Sequence, residues 1–529
     1  MPELNSHDRI LDMKWMLKNE FAALMTFHML WGLVLWFSIS KYGLGISTDS
    51  THLLFAALNL SQGKGLFSFD GSFVSLWPPL YPMILAFIQL VTRFDPFVSA
   101  TILQAASFFG ISICLSTLFL KIFPDNFLLA LAANVLSEIG MLIPGAFMFV
   151  GSDYLHLFFV LLFVLLAGYY IETKSPRILL GMSVVGMLAM LQRYLGIAVI
   201  ATGVVLVLVF TNGSLWRRIF RSSLMALSTL PAGMWLLVTS TFIGRRAPES
   251  FADNFYWFSR SILEWFFQNL PVRAHLDPYI LVLWLFIGAS VALLIWSSLG
   301  VQKFSSFEIS LFAYGIFYVL ALFGSASVAY FNKLSGRFLL PIYVPLVTLG
   351  VSVIGILLRR AGQSSSQLLR QVISFGLVGI LFVAAGSLLW VTAPLILESH
   401  VDGPPGSFNT KAWHENSVIN YWLAHEPQGN YLLFSNYPDG IAFYTWHTCY
   451  NSPAEYSGPY GKIKFPVTDY SSELFSSGRD VYFIWIEPNI YSYYYKAGDL
   501  SPIAQIKPLF VNQRNGGVYL LTPKADSNP

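Results

Sequence analysis

The sequence predicts an α-helical integral membrane protein with about thirteen membrane segments followed by a small C-terminal α/β soluble domain. Three observations carry this. Of the 529 residues, 55% are hydrophobic and 11% charged, against roughly a quarter charged in a soluble protein. The mean hydropathy is +0.60. After Glu398 the long apolar runs give way to runs of strand length. One globular core cannot bury that much apolar surface, so a bilayer must take the remainder.

Charge and cysteine usage exclude other classes. The net charge of +3 is small and the 31 basic residues are scattered, which argues against a nucleic-acid partner. Cys114 lies in an apolar run and Cys449 in the polar tail, with no CxxC or His-rich cluster. Neither a disulfide nor a structural zinc is expected.

Residues 1–20 carry charges of both signs and precede an apolar run at 21–40. That run is too long for a signal-peptide core and reads as a retained first helix with a cytoplasmic start. Further candidate spans lie at 77–92, 97–120, 126–150, 153–172, 177–192, 195–211, 222–243, 278–298, 306–330, 338–358 and 372–396. Basic residues are retained on the cytoplasmic side. Lys174 and Arg177, then Arg217, Arg218 and Arg221, then Arg359, Arg360 and Arg370 fall an even number of spans apart and can all be cytoplasmic. Asp153 is then outside, provided that 126–150 crosses twice or forms a re-entrant hairpin. Gly140, Pro144 and Gly145 supply the break.

The membrane domain is assigned to 1–397 and the soluble domain to 398–529, joined by the linker Gly403-Pro404-Pro405-Gly406. In the soluble domain 430–436, 480–487 and 517–522 read as strands, and 416–425 has helical spacing. This orientation places the domain outside the cytoplasm, together with the loops around Asp49 and at 244–277. A bacterial plasma membrane is expected, since no endoplasmic-reticulum retention signal ends the chain.

The first external loop, 46–82, is long, aromatic and nearly free of charge. A partly desolvated carboxylate such as Asp49 could act as a general base near neutral pH; the plainer alternative is that Asp49 caps a short helix at 50–60. That helix would carry His52, Ala56 and Leu60 along one face until Gly63 and Gly65 break it. Asp153 opens another apolar helix, GSDYLHLFF, with His156 one turn on; here the plainer roles are a cap and a core histidine. Glu138 must face protein or water. Arg193 (LQRYLG) and Arg337 (GRFLLP) each sit at a helix end. With Lys333, and with Arg245 and Arg246 nearby, they could cradle a phosphate, or serve as snorkelling anchors. Trp77 to Pro82, including Tyr81, opens the second span as an interfacial anchor.

In that order these elements resemble the polytopic glycosyltransferases of the GT-C fold, specifically the protein O-mannosyltransferase and aminoarabinose-transferase type (glycosyltransferase family 39 and its relatives). The resemblance rests on Asp49 followed by Trp77 to Pro82, on Asp153, on Arg193 to Gly196 and on Arg337 to Pro341. It implies transfer of a sugar from a polyprenyl-phosphate donor to an acceptor hydroxyl on a lipid, glycan or protein, with inversion. Asp49 would be the base and Asp153 would orient a substrate. Arg337, with Arg193 and Lys333, would hold the lipid phosphate, and His52, His156 and Tyr81 complete the expected substrate-binding set. Many relatives carry Asp-Glu in the first loop where this chain has Asp49-Ser50, so a divalent cation, if used, has few candidate ligands. A transporter or lipid flippase would also explain many helices and intramembrane charges, but no repeat relates the two halves of the sequence.

Overall fold

The computed structural model describes residues 6–140, 142–239, 250–267, 276–299, 304–328, 334, 336–363, 366–456 and 463–524. They form two compact units. One comprises Met1–Ser38, Ser75–Tyr81 and Thr101–Leu397, and the other Ile39–Val74, Pro82–Ala100 and Glu398–Pro529.

The described residues of the first unit are mostly helical. Among the described residues of the chain, seven helices are long and apolar enough to cross a membrane: Lys18–Ile39, Pro96–Ile122, Ser152–Thr173, Tyr279–Trp296, Ser306–Val328, Leu340–Gly362 and Arg370–Asp402. The pair Leu215–Leu227 and Leu230–Thr239, bent by 41°, would make an eighth. Four apolar helices are shorter: Leu80–Thr92, Phe127–Ile139, Pro176–Gln192 and Tyr194–Phe210. The expected thirteen spans are therefore not reached by length. Ser152–Thr173 is the most enclosed of the long helices, whereas Gln367–Asp402 leaves Phe375, Phe382, Val383 and Trp390 bare. A helix that is apolar all round yet uncovered by protein needs lipid as its neighbour.

Two segments depart from the expected spans. The run 126–150 is a helix at Phe127–Ile139 and a short one at Leu142–Phe147. At about 1.5 Å per residue these reach roughly 20 Å and 9 Å, short of the ~30 Å hydrocarbon core, so the segment does not cross twice. The run placed at 222–243 begins earlier, at Leu215. There Arg217, Arg218 and Arg221 share a strongly amphipathic helix with the exposed Leu215, Trp216 and Phe220, so a basic cluster that reads as a loop is helical because its apolar arc has a surface to face.

Helix Phe127–Ile139 ends at Gly140, whose backbone turns extended. This end is buried, and an apolar interior has no water to satisfy the last carbonyls of a helix. Three other helices supply the donors. Tyr343 Oη donates to Leu136 O at 2.8 Å, Trp31 Nε1 to Glu138 O at 3.1 Å, and Thr392 Oγ1 to Ile139 O at 2.7 Å. A Cβ at Gly140 would fall 1.8 Å from Tyr343 Oη, so only glycine fits beneath that donor. The Glu138 carboxylate lies 3.2 Å from His28 Nδ1, and His28 Nε2 donates to Asn134 Oδ1 at 3.0 Å. Glu138 thus faces the protein interior, as its position requires. After the break, Gln104 Nε2 donates to the carbonyls of Ala146 and Phe147, each at 2.9 Å.

The second unit contains a five-stranded mixed sheet of order β2-β1-β3-β5-β4: β1 is Tyr431–Ser435, β2 Tyr450–Asn451, β3 Asp480–Ile486, β4 Ala504–Asn512 and β5 Gly516–Pro523. β1 runs parallel to β2 and β3, whereas β5 is antiparallel to β3 and β4. Alternate residues feed opposite faces, as a period of two requires. Leu433, Ile484, Ile486 and Val518 pack with Trp422 and Ile441 on one side, and Leu432, Phe434, Phe483 and Trp485 with Leu474 and Leu500 on the other. Strands β1, β3 and β5 and helix Ser417–His425 fall where the sequence placed them. Strand β4 does not read as one because it is an edge, exposed, with a bulge between Pro508 and Phe510.

The first loop belongs to this unit. Phe55 and Phe69 enter the core beside Trp422, and the ring of Phe55 stacks on Trp446 at 5.5 Å. Phe408 N donates to Ile46 O at 2.8 Å, and Ser407 Oγ accepts from Ile46 N at 2.7 Å. Helix Leu80–Thr92 starts directly after the paired prolines.

Tyr343→Phe and Thr392→Val are expected to destabilise the protein by about 1–3 kcal/mol each, since each leaves a buried carbonyl without its donor. Thermal unfolding of the detergent-solubilised protein measures this; unchanged midpoints would show that the helix end is held by other means.

Candidate functional site

Helix Thr48–Ser61 is started by a capping box. Ser47 Oγ accepts from Ser50 N at 3.3 Å, and Ser50 Oγ accepts from Ser47 N at 3.0 Å. The cap is therefore Ser47, and Asp49 lies in the first turn, where the helix dipole favours a carboxylate. Three residues on, the ring of His52 projects from the same face. Its Nδ1 is hydrogen-bonded to Ser68 Oγ, and it lies 4.8 Å from the Phe69 ring. Its Nε2 is 3.7 Å from Asp439 Oδ1.

Asp439 is in the first turn of helix Pro438–Thr445 of the sheet domain. Thr48 Oγ1 donates to Asp439 Oδ2 at 3.4 Å, and Thr51 Oγ1 to the Asp439 carbonyl at 3.3 Å. Burial pushes the Asp439 carboxyl up to about 6, with repulsion from Asp70 and Asp49 adding to it, against hydrogen bonds from its own amide and from Thr48. Burial also lowers His52 from its ordinary value, outweighing the attraction of Asp70 and Asp49. At neutral pH the imidazole is neutral and Asp439 ionised.

The first unit holds the other candidates. Helix Ser152–Thr173 begins at Gly151 with no side-chain cap, and the Asp153 carboxylate of its first turn pairs with Arg193 Nη1. Arg193 ends helix Pro176–Gln192. The turn Tyr194–Gly196 follows, and a Cβ at Gly196 would lie 2.4 Å from the backbone of Ala189. Gln192 Nε2 donates to Ser152 O at 3.1 Å, tying the two helix ends together. The Arg193 and Arg337 guanidiniums lie 5.9 Å and 5.5 Å from the centroid of one ring, Phe338. Tyr318 Oη fixes that turn by donating to Phe338 O at 2.8 Å.

The structure thus brings together Asp153, Arg193 and Arg337, and separately Asp49 and His52. His156 and Tyr81 are buried, each 1% exposed. Lys333, Arg245 and Arg246 lie outside the described residues. Sequence reasoning missed Asp439, Ser68 and Asp70. The run Pro438-Asp439-Gly440 carries a helix-start signal, but nothing local ties it to the first loop. Among the described residues no group of three or more His, Cys, Asp or Glu is placed to hold a metal ion.

Comparison with solved structures gives matches over nearly the full length. Two crystal structures of ArnT from Cupriavidus metallidurans, one in the apo state and one bound to undecaprenyl phosphate, align with TM-scores of 0.58 and 0.57. The identities are 12% and 13%, and both alignments cover 96% of this chain and 99% of the other. The arabinofuranosyltransferase AftD from mycobacteria aligns with a TM-score of 0.50 at 10% identity, over 96% of this chain and 41% of its own. No family model and no curated protein sequence matches. At such identity the likeness is one of fold, the GT-C arrangement of helices with a small C-terminal sheet domain.

Two expectations follow. Asp153→Asn should cost between about 1 and 4 kcal/mol, since the partly buried Arg193 loses its carboxylate, and Asp153→Asn with Arg193→Gln should cost less than the two singles summed; additive losses in thermal unfolding would mean the pair is idle. The Asp439 carboxyl, at about 6 in the folded chain against 3.8 when unfolded, binds more protons folded than unfolded between those values. Its contribution to stability is therefore largest below about 4 and falls as pH rises through about 6. Relative to the parent, Asp439→Asn should melt increasingly higher as pH is raised from 4.5 to 7.5; a constant difference would contradict the shift.

Proposed function

With the GT-C fold as the starting point, we propose that this chain is a membrane glycosyltransferase. It takes a sugar from a polyprenyl-phosphate donor and places it on an acceptor hydroxyl at the extracytoplasmic face, with inversion. The observation that carries the reading is the alignment, from end to end of both chains, with a transferase fold that has been captured with undecaprenyl phosphate bound. A polyprenyl donor cannot leave the bilayer, so its reaction needs a chain with both lipid-facing helices and a water-facing domain.

The roles divide by chemistry. Asp49, placed in a helix first turn, takes the proton of the acceptor hydroxyl as its oxygen attacks the anomeric carbon. The bond from that carbon to the phosphate oxygen breaks, and the phosphate leaves with the electron pair. Arg337 and Arg193, flanking Phe338, receive the negative charge of the lipid phosphate. Asp153 holds Arg193 at its helix end by the ion pair and so sets the direction of one guanidinium. In the proposed topology the sheet domain faces away from the cytoplasm of a bacterial cell and meets the acceptor, a lipid, glycan or protein.

The test is transfer of labelled sugar from a panel of polyprenyl-phosphate donors by the protein in nanodiscs, beside Asp49→Asn. Turnover that falls by at least about 10² in the variant supports both the class and the base. No turnover with any donor, coupled to donor movement across the bilayer, would favour a flippase; full turnover in Asp49→Asn would remove Asp49 as base.

A further inference from the structure

Helix Leu215–Leu227 follows the exposed polar turn Asn212-Gly213-Ser214 and stands between helices Ile197–Phe210 and Leu230–Thr239, whose Val209 and Met234 are bare. A bend of 41° turns it out of line with the helix that follows. Its rotation is fixed from one side. Ser222 Oγ donates to Val204 O at 3.2 Å, and Ser183 Oγ to Met225 Sδ at 3.6 Å. Met225 is fully buried against two glycines, since a Cβ at Gly186 or Gly203 would lie 2.9 Å or 2.6 Å from its Cε.

At about 100° per residue the remaining positions sort into two arcs. Leu215, Ile219, Trp216, Leu227, Phe220 and Leu224 follow one another over roughly half the circumference. Trp216 is 80% and Phe220 65% exposed. Arg217, Arg221 and Arg218 fill the sector between that arc and the buried face. A guanidinium arc beside an uncovered aromatic and aliphatic arc is the layout of a helix lying in the plane of a membrane interface.

Five cations meet here with no anion bonded to them. Arg221 Nη1 donates to Lys174 O at 3.3 Å, which brings the turn carrying Lys174 and Arg177 beside the helix. Lys174 Nζ donates to Ile171 O and lies 5.2 Å from the centroid of the Phe210 ring. Arg218 Nε is buried with no hydrogen-bond partner among the described residues. Among those residues none of Lys174, Arg177, Arg217, Arg218 and Arg221 forms an ion pair. Glu172 is exposed at the same turn and pairs with none of them, and the sequence from Thr173 to Pro248 contains no Asp or Glu.

We propose that helix Leu215–Leu227 lies in the membrane interface and, with Lys174 and Arg177, forms a docking surface for anionic phospholipid headgroups. This goes beyond the glycosyltransferase reading and does not depend on it. The apolar arc rests on the upper acyl chains while the arginines reach phosphates alongside, which supply the negative charge that this stretch of the chain lacks. Lipid that covers Val209 and Met234 on the flanking helices reaches the arc without a break, so the occupant is the bilayer and not a second protein. In the topology proposed above, these headgroups belong to the cytoplasmic leaflet.

The experiment uses the full chain in nanodiscs carrying Ser223→Cys, an exposed position within the apolar arc. Cys114 and Cys449 are buried, so a fluorophore attaches at position 223. Brominated phosphatidylglycerol should quench the label more strongly than brominated phosphatidylcholine at equal mole fraction, and the preference should shrink as salt is raised. It should fall at least about fivefold in Arg217→Gln, an exposed residue outside the packed face, and further when Arg221→Gln is added. Unfolding midpoints in lipid-free detergent should match the parent's for Arg217→Gln, which separates lost lipid binding from lost folding. A label quenched by neither lipid would put water or protein over the arc and overturn the docking. Equal quenching by both lipids, or a preference that survives loss of the arginines, would overturn the anionic surface. Relief of quenching by undecaprenyl phosphate but not by unbrominated phosphatidylglycerol would also overturn it, in favour of a polyprenyl phosphate. None of these outcomes depends on sugar transfer.

Discussion

A peptide carbonyl inside a hydrocarbon layer has nowhere to turn but to the protein, and the first unit is organised around one place where that constraint bites. The end of Phe127–Ile139 presents its last carbonyls to a dry interior. Tyr343, Trp31 and Thr392 answer from three different helices. The break can exist only when those helices are already beside it. It in turn sets where the chain re-emerges, through the short helix held by Gln104, to begin Ser152–Thr173 and present Asp153. One interlock thus carries positional information from the packed middle of the unit to a candidate site residue.

The same accounting of helix ends distinguishes the two candidate carboxylates. Asp49 and Asp153 both occupy first turns, where a negative charge is favoured. Around Asp49 the helix is started by a capping box of two serines, Ser47 and Ser50. Around Asp153 there is no side-chain cap, and the carboxylate is engaged by Arg193. The two carboxylates thus differ in what is seen beside them, a serine capping box at the start of the Asp49 helix and a guanidinium at Asp153. Phe338, a ring shared by two guanidiniums, gives those cations an apolar edge to rest on without neutralising them.

Much of the architecture was legible because apolar length is a strong signal. The runs at 97–120, 153–172 and 306–330 lie within or nearly within Pro96–Ile122, Ser152–Thr173 and Ser306–Val328. What composition could not express was the source of hydrogen bonds. The run 126–150 is as apolar as a span, and its break depends on donors far away in sequence. Leu215–Leu227 was lost among its arginines, because a charge cluster says nothing of the surface opposite. Candidate residues were found singly, by type and local position, whereas their partnerships are tertiary. Arg193 lies forty positions from Asp153, and Asp439 is 391 positions from the threonine that bonds it. A single sequence has no term for such pairings.

The second unit is stitched from stretches near the two extremes of the chain, 39–74 and 82–100 with 398–529. A ribosome releases these pieces in order, and nearly three hundred residues of helix come between them. During that interval Phe55 and Phe69 have no Trp422 to pack on, and the Asp49 helix has no Asp439 above it. The first-loop packing is therefore among the last parts of the molecule to be finished, and an incompletely synthesised chain carries its helices without it. Biogenesis of this fold has a built-in order: insertion first, completion of the second unit only when the final strand is in place.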